Sequence, residues 1–155
     1  MSKEQIIEIV TDAYSARNEI KEYFEFFLNP DVEKLKAKYQ SVIVKELNRQ
    51  KWGTSKARTT ILKKALKNFI SYNPGPENVL KFMVYLLNML GHSERYLNFP
   101  ATLYKYVETL THQIIKYGDD NRLTSEAMSA LNAEANNYNL TTYFRQHVRR
   151  AVDNY

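Results

Sequence analysis

Residues 55–90 read SKARTTILKKALKNFISYNPGPENVLKFMVYLLNML, and the way this stretch divides decides the fold. Its first part repeats apolar residues at helical spacing, Ile61, Leu62, Ala65, Leu66, Phe69 and Ile70, among lysines and arginines. Asn73-Pro74-Gly75-Pro76 then breaks the pattern, because proline and glycine punctuate a chain more strongly than any other residues. The second part, VLKFMVYLLNML at 79–90, is apolar on most sides, with only Lys81 and Asn88 interrupting it. A membrane span needs about 20 apolar residues, so this shorter run predicts a helix buried at the centre of a core. An amphipathic helix, a Pro-Gly break and a buried helix make a helical hairpin.

The same reading extends in both directions and predicts an all-α protein of about seven or eight helices. Only four glycines and four prolines occur in 155 residues, and no strand pattern competes. Residues 3–16 carry Ile6, Ile7, Ile9, Val10, Ala13 and Tyr14 on one face, and residues 18–28 carry Ile20, Tyr23, Phe24, Phe27 and Leu28, with Phe26 on another side. SARN at 15–18 is the weakest boundary and is compatible with one continuous helix. Asn29-Pro30-Asp31 stops one helix and starts another, which runs to about Arg49 with Val32, Leu35, Tyr39, Val42, Ile43 and Leu47 on its apolar face. Gln50 to Thr54 forms a turn at Gly53, and Thr54 or Ser55 is the expected N-cap of the next helix. Gly91 is read as the C′ residue of the core helix and residues 91–100 as a loop. Pro100 opens a long helix to about Tyr117, ended by Gly118-Asp119-Asp120-Asn121, and helices at 122–135 and 141–153 close the chain. These pair into four consecutive antiparallel hairpins within a single domain, 1–155. A HEAT-like repeat stack and a compact helical bundle both satisfy that order.

Composition narrows the chemistry. There is no cysteine, which removes thiol catalysis, iron–sulfur clusters, Cys-based zinc sites and disulfides, and suits a reducing cytosol. MSKEQIIEIV has acids within its apolar pattern, so no signal peptide is read and no membrane association is expected. His92, His112 and His147 lie in three segments without ligand spacing, and Glu108 one turn before His112 suggests a helix-surface pair. Asp119-Asp120, the only adjacent acidic pair and the one candidate for a proton-sharing couple, reads better as a helix cap. No phosphate-binding glycine loop or nucleophile elbow occurs, so no catalytic, cofactor or metal residue is assigned and no enzyme or cofactor is expected.

Charge is concentrated in one third of the chain. The net charge is +5, yet residues 34–67 hold eleven basic residues against Glu46 alone, while residues 1–33 hold three basic and eight acidic ones. Lys34, Lys38, Lys45 and Arg49 fall along one line of the third helix, and Lys56, Lys63 and Lys67 along one line of the fourth. If both helices form a hairpin, the two stripes share an outer surface flanked by Lys51, Trp52, Arg58 and Lys64. Trp52 is the single tryptophan, and with Tyr96, Phe99 and Tyr104 it is the aromatic residue best placed for a partner.

The runs KEYFEFFLNPDVEKLKAKY (21–39) and SKARTTILKKALKNFISYNPGPENVLKFMVYLL (55–87) resemble a family of small bacterial helical proteins, the domain of unknown function sixty-one fifty-five. The aromatic run ending in Leu28-Asn29-Pro30, the basic helix near Ser55 and the Pro-bounded turn into a hydrophobic helix carry the likeness. It covers about the first 90 residues and fades from Phe99 onward. The resemblance implies an all-helical cytoplasmic bacterial protein and supplies no site residues. The functional expectation is therefore a non-enzymatic helical scaffold or adaptor for an unidentified protein partner. The alternative is binding of RNA or DNA, without sequence specificity, through the basic helices at 34–67.

Overall fold

A computed structural model describes residues Met1–Tyr155. Eight helices form: α1 (Lys3–Ala16), α2 (Asn18–Leu28), α3 (Val32–Leu47), α4 (Thr59–Ser71), α5 (Pro76–Tyr96), α6 (Ala101–Asp120), α7 (Thr124–Ala135) and α8 (Thr142–Asp153). A two-stranded antiparallel hairpin, β1 (Gln50–Lys51) and β2 (Thr54–Ser55), stands where the sequence suggests only a turn.

Local chemistry sets half of the helix starts. Ser2 accepts the Gln5 backbone N–H while the Gln5 side chain accepts from Ser2, a capping box that opens α1. The Asp31 carboxylate accepts the Lys34 N–H at 3.0 Å, and the Thr141 hydroxyl accepts the Phe144 N–H at 3.1 Å. Pro76 occupies the first turn of α5 after Gly75, whose φ of +102° only glycine adopts readily. The α1–α2 boundary is a true break, with Arg17 extended at φ −143° and ψ 126°.

Of the two arrangements, the compact bundle is the one formed. α5 and α6 are central: α5 packs on α3 and α4 on one side, and α6 packs on α7 and α8 on the other. A single cluster of 27 buried residues runs from Leu35 on α3 to Val148 on α8, so the helices share one core. Phe69 and Phe82, both without exposed surface, stack face to face at 4.2 Å where α4 meets α5. The run at 79–90 supplies Val79, Leu80, Phe82, Met83, Leu86, Leu87 and Leu90 to this core.

Several sequence expectations are corrected here. Gly91 does not end α5, which continues to Tyr96, and Gly118 lies inside α6. Both glycines are contact points: a Cβ on Gly91 would lie 2.9 Å from Leu140 and Phe144, and one on Gly118 would lie 2.7 Å from the Ala127 Cβ. Gly118→Ala is expected to destabilise the fold by about 2 kcal/mol. The overpacking outweighs the roughly 1 kcal/mol that alanine gains over glycine in a helix interior, and urea denaturation measures the difference. The isoleucines of α1 are not core, since neither α1 nor α2 buries any residue. On α2 it is Phe26, not Phe27 or Leu28, that packs against the core, edge-on to Tyr72 at 5.4 Å. Val42 and Ile70 are also exposed.

Candidate partner-binding surface

The structure separates the eleven predicted surface residues into a rigid node, a presented tip and a spread of solvated lysines. The node is Glu46. It follows Ile43 on the buried face of α3 and is only 4% exposed, although it lies in the basic third of the chain. Its Oε1 accepts from Arg49 Nη1 at 2.9 Å, from Arg58 Nε at 2.9 Å and from the Arg58 backbone N–H at 2.8 Å; Oε2 accepts from Arg58 Nη2 at 2.9 Å. The two-point Arg58 pairing holds guanidinium and carboxylate in one plane. These bonds push the Glu46 carboxyl down to about 2, with the Arg58 side chain as the largest cause. Because Arg58 is the N-cap of α4 and makes no cap bond of its own, Glu46 ties the end of α3 to the start of α4.

Arg49 and Arg58 are thus occupied by Glu46 and are not free members of the stripes. The helical stripes are interrupted as well. α3 ends at Leu47 and α4 begins at Thr59, so Arg49 and Lys56 lie on the connection between them, not on helix faces. Lys38 pairs with Glu22 of α2, and Lys63 sits 5.5 Å from the ring centroid of Tyr106 on α6. Lys34, Lys45, Lys51, Lys56, Lys63, Lys64 and Lys67 are exposed and make no ion pair.

The tip lies between two paired strands. Lys51 pairs with Thr54, leaving Trp52 and Gly53 as a two-residue loop with φ +55° and +73°. Positive φ at both positions is the type I′ pattern, which favours Asn-Gly and disfavours a bulky residue first. Trp52 is nonetheless 91% exposed, and nothing within the chain covers its indole. The hairpin itself is firmly seated. The Ser55 N–H donates to the Asn98 carbonyl and the Asn98 N–H to the Gly53 carbonyl, each at 2.9 Å, while Lys56 N–H donates to Arg49 O at 2.8 Å.

This seating brings the end of α5 beside the tip. Tyr96, 78% exposed, stands two residues before Asn98, with the Arg95 guanidinium 5.8 Å from its ring centroid. Arg95 also donates to the Asn139 carbonyl, bringing in the α7–α8 connection and its exposed Tyr138, over which Arg145 lies at 5.1 Å. Sequence reading finds Trp52 and Tyr96 but misses Tyr138. The other two aromatic candidates are structural: Phe99 is half-buried against the core, and Tyr104 stacks on His147 at 4.7 Å with its hydroxyl donating to Glu94 at 2.7 Å.

The titratable residues considered for chemistry serve other contacts. Glu108 pairs with His147 Nδ1 at 2.8 Å and not with His112, whose Nε2 meets the Ala151 carbonyl at 2.8 Å. Asp119 accepts from the Thr124 hydroxyl and Asp120 pairs with Lys116. No group of three or more His, Asp or Glu side chains is placed to hold a metal ion, and no helix is long and apolar enough to cross a membrane.

Fold and surface together define an all-α bundle carrying one short, rigidly anchored aromatic hairpin. The chain belongs to DUF6155, a family of unknown function, whose model matches residues 1–154. The likeness seen over the first 90 residues therefore extends through the C-terminal helices. No curated protein and no solved structure gives a significant match.

Proposed function

We propose that this protein is a non-catalytic helical binding module, a scaffold or adaptor, that grips a protein partner with the β1–β2 hairpin and uses Trp52 as its anchor. The observation that carries this reading is the exposed indole on a left-handed backbone. A left-handed conformation costs an ordinary residue about 1–2 kcal/mol, and strain of this kind persists where surrounding structure fixes it and function uses it. Glu46 and Asn98 provide the fixing. Tryptophan, tyrosine and arginine dominate the energetics of protein interfaces, and Trp52, Tyr96 and Arg95 lie at this end. Lys51 and Lys56 beside the anchor favour a partner with acidic groups at its rim. The same reading puts the protein in the bacterial cytoplasm, which its lack of cysteine suits.

A second reading, polyanion binding, is favoured by the seven exposed lysines without ion pairs. Exposed aromatic rings beside free amines are also how single strands are held, by stacking and phosphate contact together. One experiment separates the two: capture from native-host extract, with and without nuclease, by wild type, Trp52→Asn and Lys56→Glu/Lys63→Glu/Lys67→Glu. A nuclease-resistant protein partner lost with Trp52→Asn supports the first reading. Capture abolished by nuclease and by the lysine reversals supports the second.

A further inference from the structure

The first two helices form an arm whose apolar face lacks cover. α1 packs chiefly on α2, and Ile6, Ile7, Ile9 and Val10 remain 40–57% exposed. The arm meets the body where Tyr23 and Phe26 touch Tyr72 and where Glu22 pairs with Lys38. A 14-residue helix with so little tertiary burial is marginal in water, so this face requires a covering surface.

Charge identifies that surface. Glu4, Glu8, Asp12, Glu19 and Glu25 of the arm form no ion pair within the chain, and neither do Lys34 and Lys45 of α3 next to it. An open groove of about 760 Å³ lies between the two, with Glu22 and Glu25 from the arm and Lys34 and Lys38 from α3 in its lining. A surface acidic on one side and basic on the other is complementary to its own copy turned about a two-fold axis, since each acid then meets a base twice. A polyanion laid along it would be repelled by the arm, and a polycation by α3.

We infer that a second copy of this chain covers the arm: an isologous dimer forms in which the arm of each copy lies on α3 of the other. Ile7 and Val10 of α1 stand at the centre, and Phe27 and Leu28 of α2 add further exposed apolar surface to the arm.

Sedimentation of the full-length chain over a range of concentration and salt tests this. Twice the chain mass is expected, with dissociation increasing as salt screens the exposed charges. Ile7→Asp/Val10→Asp, at positions 55% and 40% exposed in the monomer, is expected to weaken the dimer by about tenfold or more while leaving the helical circular dichroism of the body in place. The decisive arm is charge exchange. Glu8→Lys/Glu25→Lys and Lys34→Glu/Lys45→Glu are each expected to be monomeric alone and to regain the dimer when mixed, because opposite charges then face each other at both contacts. A wild type that stays monomeric at every concentration tested, or a mixture that fails to pair, overturns the inference.

Discussion

Phe82→Ala is expected to lower the stability of the fold by about 4 kcal/mol, within the range for emptying a phenylalanine site in a packed core. The ring is fully buried and stacks on Phe69 with an interplanar angle of 16°, so its removal takes apolar contact from both α4 and α5. Both neighbouring helices are held on their far sides as well, α4 by α3 and α5 by α6, and this limits how far they can close over the void. Urea denaturation should show a lower midpoint at an unchanged slope, the mark of lost stability without a changed unfolded state. A loss below about 1.5 kcal/mol would mean that the site collapses and that the core is not centred on this junction.

Replacing Glu46 with glutamine should have the second largest effect, about 2–3 kcal/mol at neutral pH. Hydrogen bonds to a charged acceptor each contribute more than neutral ones, and the carboxylate accepts four. The figure stays below that for a fully buried pair because the Arg58 and Arg49 side chains are 57% and 44% exposed and partly solvated once released. The loss should also depend on pH. In the folded protein the carboxyl lies near 2, below its ordinary 4.5. Its stabilisation is therefore complete above about pH 4.5 and disappears as the pH falls toward 2 and the folded protein takes up the proton. Denaturation of wild type and Glu46→Gln at several pH values should show a constant gap above pH 5 that narrows in acid. A gap independent of pH would remove the ionised carboxylate from the account.

The elements were legible wherever a local rule decides them. Proline at 30 and 76 acts within one turn of chain, and helices begin beside it, whereas the N-cap expected at Thr54 or Ser55 is Arg58 and the one expected at Asp119-Asp120 is Leu123. Gly91 and Gly118 mislead because a glycine that ends a helix and one that admits a neighbouring side chain look identical in one dimension. Only the approach of Leu140, Phe144 and Ala127 distinguishes them. The isoleucines of α1 show a related limit: periodicity declares that a face wants cover, and nothing in a single chain's pattern says what supplies it.

The candidate surface is legible in part. Trp52 and the seven unpaired lysines stand in solvent as their sequence context suggested, but Arg49 and Arg58 belong to the Glu46 node. One signal could have revealed that node. Glu46 is the only acid in the basic third and falls on the apolar face set by Ile43 and Leu47, where a carboxylate is stable only if cations reach it. Tyr138 is not legible in the sequence, since only the tertiary bond from Arg95 to the Asn139 carbonyl brings its loop toward the end of α5.

In the proposed function, Trp52 is held out at the expense of stability for the sake of contact. The most direct measurement is the stability of Trp52→Asn alongside its capture of the partner. Asparagine suits the left-handed turn and removes no internal packing, so the variant should be more stable than wild type by about 1 kcal/mol and should lose the partner. A variant that is no more stable and still captures the partner would contradict the assignment of Trp52 as the anchor.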